Sequence, residues 1–143
     1  YLKLEKPEGV FKVSADREKL KAAIFNIVDN AVKYTLAGGV TIQLKNHDTV
    51  KIIITDTGIG MSADNIKTVF TRMFERGDAA KKAASGGSGI GLYLAAKIIE
   101  SHHGKVWVES EGEGKGSVFH IELPLTGGGK NLPVANSMTL LPI

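Results

Sequence analysis

The sequence FNIVDNAVKYT, residues 25–35, has the apolar spacing of a helix that packs on a neighbour, yet it carries two asparagines one turn apart. Asparagine is a mediocre helix former, because its amide competes for nearby backbone groups. The apolar positions predict one helix over residues 16–34, with a single buried face: Leu20, Ile24, Ile27, Val28 and Ala31. Helix stability alone does not explain the asparagines.

The polar residues of this helix form a stripe of their own. At about 100° per residue, Asn26, Asn30 and Lys33 lie along one line at the edge of the apolar face. A polar stripe in that place lines a cleft, where amide oxygens and a lysine ammonium suit hydrated Mg²⁺ and phosphates. A solvated face with an asparagine at each turn by chance explains the helix, taken alone, equally well.

Composition bounds the class of protein. The chain has 143 residues, 43% of them hydrophobic and 23% charged, which fits one globular domain. A net charge of +3, from scattered lysines with few aromatics, argues against nucleic acid as a partner. Without cysteines, a disulfide framework, a thiolate metal site and a cysteine nucleophile are excluded. No signal peptide is visible, no apolar run approaches the ~20 residues of a membrane span, and the start at Tyr1 suggests a fragment.

The rest of the chain alternates between strand and helix patterns. Strands are predicted within 1–13, at 40–46 and 50–56, and as a closing pair within 105–111 and 116–124; further helices are predicted at 63–70 and 89–102. This order predicts a two-layer α/β sandwich: a mixed, mostly antiparallel sheet of about five strands with three helices on one face. The small, charged and glycine-rich residues 75–88 indicate a mobile loop, and the tail 126–143 a linker or a docking segment.

A second candidate site is IIITDTGIG, residues 52–60, where Asp56 ends a buried strand. Gly58 and Gly60 remove side chains from the next loop, so a flat ligand could reach the backbone while the carboxylate accepts a hydrogen bond from its edge. The simpler interpretation is an ordinary aspartate at the point where a strand passes into a turn. Asp-Thr-Gly also marks aspartic proteases, whose two carboxylates share a proton, but such enzymes are nearly all strand. The two periodic helices argue against that class.

A third candidate is SGGSGIGLYLAAKIIE, residues 85–100, where glycines at 86, 87, 89 and 91 lead into a helix. Bare backbone N–H groups and the positive end of a helix form an anion site. The stretch lacks the Gly-Lys-Ser/Thr ending of a P-loop, and no strand leads directly into it as in a dinucleotide-binding fingerprint.

Taken in order, these stretches resemble the catalytic ATP-binding domain of a sensor histidine kinase, in the GHKL superfamily that includes gyrase, Hsp90 and MutL. NIVDNAVKYT resembles the asparagine box of that family, DTGIG its first glycine box and GGSGIGL its second, while GKVWVESEGEGKGSVFHIELP resembles the closing strand pair. The resemblance covers residues 1–125 and implies the Bergerat fold, with 126–143 as a separate tail.

The resemblance implies a role for each polar residue of the first helix and for the buried aspartate. Asn30 would ligate Mg²⁺, Asn26 would lie near the metal and the phosphates, and Lys33 would contact phosphate. Tyr34 would flank the nucleotide, and Asp56 would accept from the adenine amino group.

The glycine boxes and the segment between them would complete the ATP site. Residues 75–88 would be the ATP lid. FTRMFERGD places Phe70 and Phe74 one residue further apart than the family's usual phenylalanine box, and Arg76 is matched to its arginine, which would act in catalysis on the terminal phosphates together with Asn26 and Lys33. The remaining ATP-binding residues implied are Gly58, Ile59, Gly60, Phe74, Gly87, Ser88, Gly89, Ile90, Gly91 and Leu92.

Asn26 bears on the type of reaction. In the ATPases of the superfamily, the residue one turn before the metal-binding asparagine is usually a glutamate that acts as general base on water. An amide is not basic enough for that role, and Asp29 lies about 60° further round the helix. The resemblance therefore implies a kinase that retains ATP until an imidazole attacks; another GHKL ATPase or an anti-sigma-type serine kinase is the alternative.

The resemblance also implies partners. None of the histidines at 47, 102, 103 and 120 begins a helix, so the phosphorylated histidine is expected on a separate dimerisation domain, with a response regulator downstream. We expect a cytoplasmic location, a monomeric fragment and a homodimeric parent kinase, whether or not that parent is anchored in a membrane.

Overall fold

The computed structural model describes residues 1–5, 11–46, 48–71, 91–125 and 137–140. The elements in chain order are β1 (Leu2–Leu4), β2 (Phe11–Ser14), α1 (Arg17–Lys33), β3 (Val40–Asn46), β4 (Thr49–Asp56), α2 (Ala63–Thr68), α3 (Gly91–Ser101), β5 (Lys105–Glu109), β6 (Ser117–Pro124) and β7 (Ser137–Leu140). In these ranges, no helix is both long enough and apolar enough to cross a bilayer.

A five-stranded sheet in the order β1-β3-β4-β6-β5 forms one layer of the fold. β1 runs parallel to β3, and the other neighbours are antiparallel. Alternate residues of β4 and β6 are buried, so one face of the sheet carries the core. α1 and α3 pack on that face through fully buried side chains such as Ile27 and Ile99. The predicted two-layer sandwich with a mixed, mostly antiparallel sheet is confirmed.

Capping residues explain where the helices begin. Asp16 is the N-cap of α1, and its side chain accepts from the N–H of Lys19 at 3.1 Å. Ser62 caps α2 in the same way, accepting from the N–H of Asn65 at 3.2 Å. α2 buries no residue completely but packs Ile66 against the core, so all three described helices contact the same layer.

The tail contains a strand that the sequence does not predict. Ser137–Leu140 pairs antiparallel with β2, from Ser14 opposite Ser137 to Phe11 opposite Leu140. Four residues without strong alternation carry little local signal, and the pairing depends on a partner more than 120 positions away in the sequence. The boundary at residue 125 between a catalytic domain and a tail stays a prediction.

Candidate functional site

Asp56 is the only charged side chain that is buried in the ranges the structure describes, at 7% exposure. It is the last residue of β4 and faces Ser117, the first residue of β6. Its Oδ1 accepts from the backbone N–H of Gly58 at 2.8 Å and from that of Ser117 at 3.2 Å. Burial raises the pKa of the Asp56 carboxyl, and the two N–H donors lower it to a smaller extent.

The second carboxylate oxygen of Asp56 is available to a ligand. No described residue donates a hydrogen bond to Oδ2. Yet no side-chain oxygen in the described part of the chain is both fully buried and without a partner, so Oδ2 reaches solvent. One oxygen is thus fixed by the main chain, and the other is an open acceptor at the edge of the core.

The loop after Asp56 is wedged between two backbone segments. A Cβ on Gly58 would lie 2.3 Å from the carbonyl oxygen of Tyr34, and Ile59 donates to that oxygen at 3.1 Å. Gly60 has φ +69°, and a Cβ there would lie 2.2 Å from the carbonyl oxygen of Gly112. The sequence predicts that these glycines admit a flat ligand; the structure adds that both also allow close contact with the protein's own backbone.

The asparagine helix meets the glycine-led helix at Asn26. A Cβ on Gly91, the first described residue of α3, would be 3.6 Å from Asn26 Cγ, which is ordinary van der Waals contact. Asn30 is half-buried, and Lys33 is exposed at the end of α1. From Asn26 to Tyr34 the helix axis advances about 12 Å. The predicted stripe therefore extends along α1 from the start of α3 toward the loop that follows Asp56.

Lys33 already has an ionic partner in this structure. Its Nζ lies 2.9 Å from Asp29 Oδ2, one turn earlier, and both side chains are more than one-third exposed. The sequence analysis does not predict this pairing, although a four-residue spacing of opposite charges favours it.

Several predicted site residues lie outside the described ranges. They are Phe74, Arg76, Gly87, Ser88, Gly89 and Ile90, together with the lid proposed for 75–88. Leu92 is described, and its side chain is buried in the core at 8% exposure. A contact between Leu92 and a nucleotide would therefore have to use its backbone.

Two serines of the site are missing from the sequence-based prediction. Ser117 donates to Asp56, and Ser110 Oγ accepts from the N–H of Met61 at 3.0 Å. The available signal was the pairing of β4 with β6, which places residue 117 beside residue 56. Nothing in the sequence near Ser110 distinguishes it from an ordinary turn residue.

Comparison with known proteins gives a consistent result. The family model "Histidine kinase-, DNA gyrase B-, and HSP90-like ATPase" matches residues 15–127. The adaptive-response sensory kinase SasA of Synechococcus sp. is 36% identical over 123 residues, which are 83% of this chain and 31% of that protein. A methyl sulfide methyltransferase-associated sensor of Methanosarcina acetivorans is 34% identical over 125 residues, which are 86% of this chain and 12% of that protein.

A solved structure extends the likeness to three dimensions. The mycobacterial sensor histidine kinase MprB is similar with a TM-score of 0.76 and 29% identity, over 87% of this chain and 84% of that one. This chain spans less than a third of each of the two curated relatives. The aspartic protease alternative is wrong. The helices α1 and α3 pack on the sheet, and the family match over residues 15–127 includes all three candidate stretches.

Proposed function

The chain belongs to the family of histidine kinase-, DNA gyrase B- and HSP90-like ATPases, and from this premise we propose that it is the catalytic ATP-binding domain of a sensor histidine kinase. It binds Mg·ATP and transfers the γ-phosphoryl group to a histidine on a separate dimerisation domain. Because the chain corresponds to only 12% and 31% of the two relatives compared, the activity of the whole kinase is part of the proposal.

The observation that carries the proposal is the asymmetry of the Asp56 carboxylate. With Oδ1 held by two backbone N–H groups, Oδ2 is an oriented acceptor beside a loop without large side chains at 58 and 60. The 6-amino group of adenine is a donor that such an acceptor can bind. A 6-oxo purine would bring an acceptor against this acceptor, so the site favours adenine.

The amide groups of α1 supply the phosphate end of the site. Asn26 lies beside Gly91, the first described residue of α3, where the resemblance places the second glycine box and the phosphates. Within the described ranges, no cluster of three or more histidine and acidic side chains could hold a metal. A magnesium ion would be held by the Asn30 oxygen, with Asn26 nearby, and by the phosphates themselves, as suits its preference for few protein ligands. When bound, it neutralises charge on the phosphate oxygens.

The side chain at position 26 supports transfer rather than hydrolysis. An asparagine amide cannot deprotonate water near neutral pH, and the carboxylate of Asp29 lies about 60° further round the helix. Bound ATP therefore persists until a stronger nucleophile arrives. In a histidine kinase that nucleophile is an imidazole, and the transfer needs mainly positioning and charge neutralisation.

The partners follow from the same proposal. The dimerisation domain supplies the histidine and the two-fold assembly of the parent kinase, and a response regulator receives the phosphoryl group. The chain by itself is expected to be a monomer, to contact no nucleic acid and to hydrolyse ATP slowly. Arg76 and Phe74 are proposed to contact the nucleotide from the segment between the two glycine boxes.

Calorimetric titration with a non-hydrolysable ATP analogue and Mg²⁺ tests the proposal. We expect binding in the micromolar range, on the order of −7 kcal/mol, with a one-to-one ratio. Removal of Mg²⁺ with a chelator weakens it, because the charge of the phosphates is then less well neutralised. A folded chain that takes up no ATP analogue contradicts the proposal, and rapid ATP turnover by the isolated chain favours the ATPase alternative.

A further inference from the structure

The hydroxyl group of Ser110 joins two loops that are far apart in the sequence. Ser110 follows the last residue of β5, and its Oγ accepts from the N–H of Met61 at 3.0 Å and from the N–H of Gly112 at 3.2 Å. The same hydroxyl donates to the carbonyl oxygen of Gly116 at 2.7 Å, the shorter of its two contacts with acceptors, since the carbonyl oxygen of Gly112 lies at 3.2 Å. One donor and two acceptor sites are the full capacity of a serine hydroxyl, so this group is saturated.

Main-chain hydrogen bonds continue the junction in both directions. The N–H of Gly114 donates to Ile59 at 2.6 Å, and the N–H of Gly116 donates to Gly58 at 3.2 Å. A Cβ on Gly116 would lie 2.2 Å from the carbonyl oxygen of Asp56. The turn 110–116 is therefore docked directly against the loop 57–61.

The contact between the turn and the loop positions the two backbone N–H groups that donate to Asp56. One donor, the N–H of Gly58, belongs to the loop 57–61, and the other, the N–H of Ser117, directly follows the turn 110–116. Ser110 bonds both segments, at Met61 and at Gly116. The direction of the open oxygen of Asp56 thus depends on a junction that Ser110 completes.

We propose that Ser110 is a positioning residue for recognition of the purine base: its hydroxyl holds the loop and the turn together so that Asp56 presents one oxygen to the 6-amino group. The inference rests on the proposed function, since it presupposes a nucleotide at Asp56. Ser110 acts through Asp56 and does not itself touch the base.

Removal of the hydroxyl has a specific consequence. In Ser110→Ala, the N–H of Met61 and the carbonyl oxygen of Gly116 lose their side-chain partner, and only the main-chain bonds of Gly114 and Gly116 still join the loop to the turn. The two donors are then held less firmly against one carboxylate oxygen. Discrimination between a 6-amino and a 6-oxo purine decreases, while contacts to the triphosphate, on the α1 and α3 side, are retained.

The discriminating measurement is the ratio of the dissociation constants for inosine 5′-triphosphate and ATP, obtained by calorimetry with Mg²⁺. These nucleotides differ in the purine 6-substituent and share the phosphates. Partial unfolding lowers the apparent affinity for both by the same factor and leaves the ratio unchanged. We expect the ratio to fall about 3- to 10-fold in Ser110→Ala, the equivalent of one net hydrogen bond.

Two further variants complete the design. Ser101→Ala is the matched control, because Ser101 Oγ also donates to a carbonyl oxygen at 2.7 Å, that of Ile98, but at the exposed end of α3. It should leave the ratio at the wild-type value. Ser110→Cys, measured under reducing conditions, keeps the shape with weaker hydrogen bonds and should give an intermediate ratio; it replaces the alanine variant if that one does not fold.

The outcomes separate this inference from the proposed function. Wild-type protein that binds neither nucleotide contradicts the proposed function itself. Wild-type protein that prefers ATP, together with Ser110 variants that keep the same ratio, overturns the role of Ser110 alone. A reduced ratio in Ser110→Ala and an unchanged one in Ser101→Ala support it.

Discussion

The backbone N–H of Ser117 donates to Asp56 Oδ1 over 3.2 Å, although the two residues are 61 positions apart in the sequence. The bond crosses from β6 to β4 at the end of their shared register. Because Gly58 donates to the same oxygen, the main chain on two sides determines which carboxylate oxygen is left for a ligand. Asp56 can therefore be altered chemically with a defined geometric result.

Asp56→Asn should exchange the base preference of the site. The amide oxygen is expected to take the place of Oδ1, since two N–H donors point to it, and the NH₂ group then replaces the open oxygen. A donor now faces the 6-amino group of adenine. ATP affinity should fall roughly 10- to 100-fold, the loss of a hydrogen bond to a charged group, while inosine triphosphate loses less or gains.

The measurement is calorimetry with both nucleotides, and Asp48→Asn, an exposed position in the β3–β4 turn, is the control. Equal ATP affinity in wild type and Asp56→Asn would mean that adenine is not bound at this carboxylate. The variant should remain folded, because burial disfavours the charged form that it removes.

ATP recognition should weaken in acid. Burial raises the pKa of Asp56 above its usual value of 3.8, so the carboxyl takes up a proton at a higher pH than an exposed aspartate does. The proton goes to the open oxygen, which becomes a donor and opposes the adenine amino group. Phosphate protonation affects ATP and inosine triphosphate alike, and protonation of the adenine ring in acid affects wild type and Asp56→Asn alike, so the ratio of the two dissociation constants in wild type, compared with that in Asp56→Asn, isolates Asp56. We expect this ratio to shift toward inosine triphosphate as the pH falls through the raised pKa. A constant ratio would mean that the Asp56 carboxyl does not bind the adenine amino group.

The stability of the fold has the opposite dependence on the same group. The folded state binds the Asp56 proton more tightly than the unfolded state, so this residue's contribution to the free energy of unfolding decreases as the pH rises from 3.8 through the raised pKa. Urea unfolding of wild type and Asp56→Asn across this range measures it: the difference between the two should grow in favour of the variant as the pH rises.

Lys33 should bind phosphate at the expense of its pairing with Asp29. Their contact at 2.9 Å is partly exposed and is expected to contribute little to stability, about 0–1 kcal/mol. Asp29→Asn releases the ammonium and should strengthen ATP binding severalfold at low salt, with a small effect on unfolding.

Lys33→Met should weaken ATP binding more than adenosine binding. Lys97→Met is the control, because Lys97 is paired with Glu100 on α3. If Lys33→Met affects adenosine and ATP equally, the lysine does not contact phosphate.

Strict periodicity made most of the fold predictable from the sequence. The 17 residues of α1 lie within the predicted 16–34, since one apolar face runs through the whole segment. The strand predicted at 40–46 is observed with those bounds, and β4 begins one residue before the predicted start. These segments bury a continuous face, so local pattern and tertiary packing agree.

Elements and contacts that depend on a distant partner could not be predicted. β7 has no strong alternation of its own and is specified by pairing with β2. The hydrogen bonds of Ser110 depend on where Met61 lies, which a single sequence does not give. The sequence identifies Asp56 and the glycines after it. It does not predict the contacts that require glycine at 58 and 60, which are with the carbonyl groups of Tyr34 and Gly112.

The position of His102 suggests that it connects the two long helices. Its Nε2 accepts from the N–H of Asp16, the N-cap of α1, at 3.0 Å, and its Nδ1 lies 2.7 Å from the carbonyl oxygen of Ile98 in α3. The two contacts together require the neutral ring with the proton on Nδ1. His102→Ala should lower the free energy of unfolding by about 1–3 kcal/mol, because the part-buried Asp16 N–H loses its acceptor. His102→Gln offers an acceptor of similar reach and should lose less; equal losses in urea titration would contradict the connecting role.

His103 should be a site where glycine stabilises the fold. It has φ +62°, the left-handed conformation that follows many helices, and it directly follows His102 after the last residue of α3. The N–H of His103 donates to Glu100 and that of Gly104 to Ile99, so the chain reversal is fixed by backbone hydrogen bonds that glycine would keep. His103→Gly removes the steric cost of a side chain there and should raise the free energy of unfolding by about 0.5–1 kcal/mol, after allowance for the greater freedom of the unfolded glycine. His103→Ala keeps the strained backbone and should bring no gain. Denaturant unfolding compares the three proteins, and a gain of the same size in both variants would trace the effect to the imidazole instead of the backbone.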